Sequence, residues 1–415
     1  MKAADLRSRR RLHHSAFLQP RQPAFWLFLL IVGLTSIVAF AEQSFFRDAS
    51  PGGWALSWML LALYGLPVAV VVYLLDLYER EPAPLLVAAF IWGAVAATTL
   101  SAVGNAGWGL TVARLAGPEF AARWTAALTA PFVEEILKGC GIVLIYLIAR
   151  DEVDDVMDGF VYGAICGLGF AIVEDVVYFM AVFGGQPSGV LQGFWVRVVA
   201  SGLYGHVLYT GLVGMAVGIV VSRRSTASMR GRLWPAAGLC ALAAFAHFLW
   251  NSPLLSLFPS EPWSGADYLF VVVATAVKGF PLLAFVAIAV ILARRRERRW
   301  LRRALDGEVG LDGISQAELR LLESPRRRRA ARGEMRQRAG TRAAGLLHRL
   351  QREQVNLAMV ASRVAGADDP ALTRQRAYCA SLREALRAIP GAAPASGEAG
   401  IGGAAAAGGT GPGAR

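Results

Sequence analysis

The stretch Pro131-Phe132-Val133-Glu134-Glu135-Ile136-Leu137-Lys138 places two carboxylates and an ammonium group inside an apolar run that extends over about residues 125–149. A run of roughly 20 apolar residues is long enough to cross a bilayer as a helix. Each charge buried in the hydrocarbon core costs about 2.5–3.5 kcal/mol on insertion scales. We therefore expect these three side chains to face polar partners on other helices, not lipid.

The composition is that of a polytopic membrane protein. Of the 415 residues, 55% are hydrophobic, and they occur in long blocks instead of short periodic patches. The formal net charge of +12 arises mainly near the two ends. No nucleic-acid-binding motif accompanies this charge, so no nucleic-acid partner is expected. The four cysteines form no CxxC pair, which argues against a disulfide framework and against a thiolate zinc site.

The fold class predicted from this pattern is all-α, a polytopic membrane helical bundle with about eight transmembrane helices and a cytoplasmic helical C-terminal extension. The predicted spans cover residues 24–41, 54–75, 84–111, 125–149, 157–183, 196–221, 234–253 and 266–292. The first apolar run follows an Arg-rich segment, as a signal peptide does. It is longer than a typical signal-peptide core and lacks a clear cleavage site, so we interpret it as an uncleaved span.

The arginines predict the orientation of the chain in the cell membrane. They are dense before the first span, between the sixth and seventh spans, and after the eighth, whereas the alternate loops hold few. The positive-inside rule therefore predicts that both termini are cytoplasmic. The predicted domains are a basic N-terminal segment (1–23), a membrane domain (24–292), a basic, partly helical extension (293–390) and a disordered Gly/Ala-rich tail (391–415). The juxtamembrane arginines are interpreted as orienting charges that also attract anionic lipid headgroups.

Polar residues recur at one predicted depth in four of the spans. They are Glu134 and Glu135, Glu174, His206, and His247 with Asn251. On the predicted topology they lie roughly 8–15 Å below the outer boundary, at a rise of 1.5 Å per residue. Lys138, one turn from the glutamates, and Arg197, at the start of the sixth span, are the expected positive partners. Residues scattered for stability alone have little reason to share a depth, so this layer indicates a functional site.

The chemistry that these groups support is hydrolysis. Two crowded carboxylates resist double ionisation in a low dielectric, so the pair can act as a general base or acid. A water held by glutamate and histidine could attack an amide carbonyl, with Asn251 or a histidine N–H stabilising the oxyanion. Alternatively, zinc could be bound by ligands drawn from His206, His247, Glu135 and Glu174, with another glutamate as base. The residues leave both mechanisms open, because no HExxH pair is present.

Four motifs in order resemble those of the PrsW-type intramembrane proteases, which are related to the type II CAAX prenyl endopeptidases. They are Glu134-Glu135-x-x-Lys138, Phe170-x-x-x-Glu174, His206, and His247-x-x-x-Asn251. The glutamate that ends the second motif, where the CAAX relatives usually have histidine, favours the PrsW branch. The segment Asp158-Gly159-x-x-Tyr162-Gly163 also resembles that branch. The resemblance covers about residues 131–251.

The resemblance implies cleavage of a membrane-anchored protein substrate. In the best-known member of the family the substrate is an anti-sigma factor, which is cut at its extracytoplasmic side. The resemblance also implies that Glu134 and Glu135 activate water, and that Glu174, His206, His247 and Asn251 complete the site. Whether zinc takes part is left open, as are the cleavage site, the oligomeric state and the role of the extension.

Two other functions remain compatible with buried ionisable groups. A proton- or ion-coupled transporter would use carboxylates and histidines as a relay, but it also predicts inverted repeats and paired broken helices, which are not evident. A non-catalytic scaffold that binds membrane-anchored partners would be favoured by loss of the motif carboxylates. All of these carboxylates are present.

Overall fold

The structure is a computed structural model that describes residues 17–75, 81–150, 152–200, 205–222, 227–254, 265–364 and 366–392. It is 86% helical, and the described residues contain no β-strand. The predicted all-α class is therefore confirmed. The chain divides into two compact units between Arg296 and Glu297. The N-terminal basic segment up to residue 16 and the tail from residue 393 lie outside the described residues.

The first unit is a bundle of long helices, several of which begin with proline. Proline suits the first helical turn because its missing N–H would be unpaired there anyway. The helices are α1 (Pro23–Ala49), α2 (Pro51–Leu75), α3 (Ala83–Ala116), α4 (Pro118–Ile148), α5 (Val156–Val182), α6 (Pro187–Phe194), α7 (His206–Val221), α8 (Met229–Asn251) and α9 (Gly265–Asp306). Single π-helical turns lie within α3 (Trp92–Ala97), at the end of α5 (Tyr178–Val182) and after α6 (Trp195–Val199).

Six helices are long and apolar enough to cross a membrane: α1, α2, α3, α5, α8 and α9. The 31-residue α4 carries the charged stretch, and α7 is an apolar helix of 16 residues. A multi-pass helical membrane bundle is therefore confirmed, whereas the number of eight spans stays a prediction.

The predicted sixth span, residues 196–221, is not one continuous helix. A π-helical turn ends at Val199, and α7 begins at His206, after Gly205 with φ 118°. Glycine adopts this backbone conformation readily because it lacks a Cβ atom. His206 is therefore the first residue of α7, not a residue within a long helix as predicted.

The contact between α5 and α7 is the most extensive between described helices of the bundle, and glycines bring the two backbones together. A Cβ atom at Gly163 would lie 2.2 Å from the carbonyl oxygen of Thr210, and one at Gly167 would lie 2.2 Å from that of His206. Small residues let membrane helices approach to backbone contact in this way. The antiparallel packing sets the first turn of α7 beside the second half of α5, where Glu174 lies.

The second unit contains α10 (Gln316–Leu322), α11 (Pro325–Arg363) and α12 (Pro370–Arg387), with a break in α11 at Gly340. Two arginines of α12 form two-pronged ion pairs with residues that precede or start α10. Arg376 donates to Glu308 at 2.6 and 2.9 Å, and Arg383 donates to Glu318 at 2.8 and 3.0 Å. Such paired hydrogen bonds fix the geometry more firmly than single ones.

We predict that Gly163→Ala lowers the free energy of unfolding by about 1–3 kcal/mol, because the added methyl group must push α7 away from α5. Gly107→Ala, in α3, is the matched control. Nothing lies within 4 Å of its added Cβ atom, so stability should stay equal or rise by about 1 kcal/mol. Thermal unfolding of the detergent-solubilised proteins measures both, and equal melting temperatures for the two variants would contradict the close contact.

Candidate active site

The charged face of α4 is buried in the bundle. Lys138 is wholly inaccessible to solvent, and its Nζ lies 2.6 Å from Oε1 of Glu135 and 3.5 Å from Oε2 of Glu134. The ring of Phe170 on α5 packs against the same ammonium, 3.9 Å from Nζ to the ring centroid. This cation–π contact and the two carboxylates together offset the cost of burying the charge.

The two adjacent glutamates have different surroundings. Both oxygens of Glu135 accept hydrogen bonds, Oε1 from Lys138 and Oε2 from the Thr210 hydroxyl at 2.9 Å. Glu134 accepts a bond at Oε1 from the amide of Asn105 at 3.1 Å, but its buried Oε2 has no hydrogen-bond partner among the described residues. Glu134 therefore has one carboxylate oxygen that lies near the Lys138 ammonium but accepts no hydrogen bond, whereas both oxygens of Glu135 accept one.

Asn105 and Thr210 were not identified from the sequence. Each is a neutral polar residue in an apolar helix, and such residues commonly hydrogen-bond to neighbouring helices whatever the function. The only signal for Asn105 was its place in a Gly-rich part of the third span, which gives no partner.

The two ring nitrogens of His206 have distinct partners. Nδ1 lies 2.9 Å from Nζ of Lys138, and Nε2 lies 3.0 Å from Oε2 of Glu174. Because an ammonium group can only donate, Nδ1 must accept, and Nε2 carries the proton that is donated to Glu174. A carboxylate in this position fixes the orientation and tautomer of the imidazole. Glu174 thus orients His206.

Arg197, from the π-helical turn after α6, holds the end of α5. It donates to Glu174 at 2.7 Å and to Asp175 at 2.5 Å, and its guanidinium stacks over the Tyr178 ring at 3.7 Å. Arg197, which was predicted as a supporting residue, thus contacts Glu174 and has Asp175 as its second carboxylate partner.

His247 on α8 completes the cluster from the other side. Its Nδ1 lies 3.3 Å from Oε1 of Glu135 and its Nε2 lies 3.7 Å from Oε2 of Glu134, while the ring stacks on Tyr209. Asn251, one turn further along α8, instead donates to the carbonyl oxygen of Ala126 at 3.3 Å. Ala126 precedes Glu134 by about two helical turns, so the structure ties Asn251 to α4 away from the carboxylates.

Four residues offer one potential ligand atom each, and these atoms all lie within 4.8 Å of one another: Glu134, Glu135, His206 and His247. Glu174, a predicted candidate ligand, lies outside this group and contacts Nε2 of His206, the ring nitrogen that faces away from Lys138. Carboxylates and imidazoles suit zinc and other first-row divalent metals. Oε2 of Glu134 and Nδ1 of His247 are buried and without hydrogen-bond partners among the described residues, as open ligand positions would be.

The charges near the cluster also suit a divalent cation. Four carboxylates, those of Glu134, Glu135, Glu174 and Asp175, face two side-chain cations, Lys138 and Arg197. With neutral histidines this leaves two uncompensated negative charges. A divalent ion would neutralise them, so both the donor set and the charge fit a metal.

We predict that Arg197→Gln lowers the free energy of unfolding by about 3–5 kcal/mol, because it leaves Glu174 and Asp175 without their cation. The matched control is Arg47→Gln, which removes an exposed pair with Asp48 and should cost at most about 1 kcal/mol. Chemical unfolding curves of both purified variants measure the difference. Similar losses of unfolding free energy in the two variants would show that the buried ion pairs of Arg197 stabilise the protein no more than an exposed pair does.

A family model described as PrsW family intramembrane metalloprotease matches residues 81–280. Searches of curated proteins and of solved structures give no match. The matched range includes all of α3 to α8, and with them every residue of the Glu/His cluster. The predicted resemblance is therefore confirmed: residues 81–280 match the PrsW family of intramembrane metalloproteases.

Proposed function

We propose that this membrane protease hydrolyses a peptide bond of a membrane-anchored protein near the extracytoplasmic side, with Glu134 as the general base. The observation that carries the proposal is the buried carboxylate oxygen Oε2 of Glu134. It has no hydrogen-bond partner among the described residues and lies 3.7 Å from Nε2 of His247. A buried carboxylate oxygen without a hydrogen bond, 3.5 Å from the Lys138 ammonium and beside an imidazole, is suited to bind and deprotonate a water molecule.

In the proposed reaction, Glu134 takes a proton from water as the water oxygen forms a bond to the substrate carbonyl carbon. The same carboxyl group then gives that proton to the leaving amide nitrogen as the C–N bond breaks, which restores the carboxylate. Glu135 does not share this role, since both of its oxygens are engaged by Lys138 and Thr210. Its part is to hold Lys138 and to fix α4 against α7.

The negative charge that develops on the substrate carbonyl oxygen needs a donor. An N–H group of His247 is placed beside both glutamates and can supply it. Asn251, which was predicted for this role, donates to Ala126 in the structure. It would join the site only if substrate binding releases that bond, as catalytic hydrogen bonds often form only in the complex.

A divalent metal, with zinc as the first candidate, fits the cluster. His206 and His247 would hold it together with Glu135, once Lys138 withdraws from Glu135, and Glu134 would handle the proton. When bound, the metal would make a water more acidic and would polarise the substrate carbonyl. Glu174 would then support the metal site indirectly, by orienting the ligand His206.

The setting that we propose is the cell membrane, with both termini in the cytoplasm. The support is the distribution of arginines among the predicted loops. On that topology the cluster lies toward the outer face, the side at which the family resemblance places cleavage. An anti-sigma factor is the first candidate substrate on the same basis.

The function can be tested before any substrate has been identified. In cells that express the wild-type chain, quantitative mapping of new protein N-termini should reveal cuts next to the spans of membrane proteins. Glu134→Gln should reduce those N-termini at least 100-fold, because general-base catalysis typically contributes 10²–10⁴-fold. Glu42→Gln, on α1 and outside the cluster, should leave them unchanged. Persistence of the same N-termini in the Glu134→Gln strain would exclude Glu134 as the base.

Metal dependence can be measured on the purified enzyme with a peptide that contains a cut site found in this way. Removal of bound metal by 1,10-phenanthroline should abolish cleavage, and stoichiometric zinc should restore it, with metal content followed by mass spectrometry. Full activity of protein shown to contain less than about a tenth of an equivalent of metal would favour the metal-free mechanism.

A further inference from the structure

We propose that the ammonium group of Lys138 occupies the place where a divalent cation would bind, so that Lys138 and the metal compete for the same ligand atoms. The inference rests on the ligand set named under the proposed function, but it does not require that the chain cleaves any peptide. It concerns how far Lys138 lowers the affinity of the site for metal.

The distances place the ammonium between two of the three ligands. Nζ lies 2.6 Å from Oε1 of Glu135 and 2.9 Å from Nδ1 of His206, and these two ligand atoms are 3.9 Å apart. Zinc lies about 2.0–2.2 Å from oxygen and nitrogen ligands. An ion bound to both atoms must therefore lie near the line that joins them, and at most about 3 Å from Nζ on either side of that line. Two cations at that separation repel strongly in a buried site.

The remaining contacts leave no other way for His206 to bind the ion. Its Nε2 donates to Glu174, so Nδ1 is the nitrogen with a lone pair, and Lys138 covers it. Of the three ligand residues, only His247 has a nitrogen, Nδ1, without a hydrogen-bond partner among the described residues. One open ligand does not make a tight site, since zinc sites use three or four protein ligands. Tight binding therefore requires that Lys138 withdraws.

The structure offers the displaced ammonium a second partner. Oε2 of Glu134 lies 3.5 Å from Nζ and accepts no hydrogen bond from the described residues. A small shift toward Glu134 would keep the charge of Lys138 paired while it frees Glu135 and His206. Because a carboxylate oxygen has two lone pairs, Oε2 could accept from Lys138 and still bind a water molecule. In the absence of metal, Lys138 thus compensates the carboxylates itself, and the metal affinity is lowered by the competition.

The test is a titration of the full-length protein in detergent micelles with Co²⁺, whose visible absorption reports coordination without any assay of activity. Lys138→Gln keeps an N–H donor for Glu135 but removes the charge, and it should bind Co²⁺ at least tenfold more tightly than the wild type. Lys138→Arg keeps the charge and should bind no more tightly than the wild type. Lys278→Gln is the matched control: this buried lysine of α9 donates to the carbonyl oxygen of Trp250 and should leave the affinity unchanged.

Melting temperatures establish that each variant is folded, and Lys138→Met provides a second neutral variant should Lys138→Gln not fold. Equal or weaker Co²⁺ binding by a folded neutral variant would overturn the proposal, as would an equal gain in Lys138→Arg. Tighter Co²⁺ binding by the neutral variants, together with no proteolysis by the wild type, would refute the proposed function but support the competition. Proteolysis by the wild type, together with unchanged Co²⁺ affinity in the neutral variants, would support the function but refute the competition.

Discussion

The contact between Lys138 and Glu135 is the constraint on which the rest of the cluster depends. An ion pair inside a membrane helix survives only if every remaining hydrogen-bonding position of both groups is also used. Here the second oxygen of Glu135 is taken by Thr210, and the ammonium reaches His206 and the face of Phe170. The same bonds that compensate the two charges therefore join α4 to α5 and α7. The need to satisfy one buried pair fixes much of the geometry of the site.

The backbone contact between α5 and α7 provides the room for this arrangement. Its glycines bring the helices close enough for Glu174 to reach His206 at 3.0 Å. Gly205, with its positive φ, directly precedes α7, so His206 lies on the first turn of that helix. Helix packing that looks purely structural thus decides which nitrogen of His206 faces the carboxylates of α4.

Much of the site could be predicted because a charged side chain in an apolar helix is stable only if it faces charged or hydrogen-bonding partners. Glu134, Lys138, His206 and His247 were expected to face one another, and the structure brings them together, with Glu174 bonded to the far nitrogen of His206. The fold class followed from the long apolar blocks. The family resemblance added the protease assignment, which charge and topology alone left beside a transporter and a scaffold.

Other features could not be predicted, for identifiable reasons. The break before His206 includes the positive φ of Gly205, and hydropathy averaged over a span does not detect such a feature. The difference between Glu134 and Glu135 depends on Asn105 and Thr210, which lie 29 and 75 residues from them in the chain. Asn251 was assigned by its spacing of four from His247, but spacing on one helix does not reveal that its amide reaches Ala126 on another.

X-ray absorption spectroscopy of the purified, zinc-loaded protein tests whether the Glu/His cluster holds a metal, because it reports the type and distance of the atoms bound to the ion. We expect one zinc per chain with nitrogen and oxygen ligands at about 2.0–2.2 Å, two of them imidazoles, and loss of an imidazole signal in both His206→Ala and His247→Ala. Sulfur ligands near 2.3 Å, or a spectrum unchanged in those two variants, would contradict it.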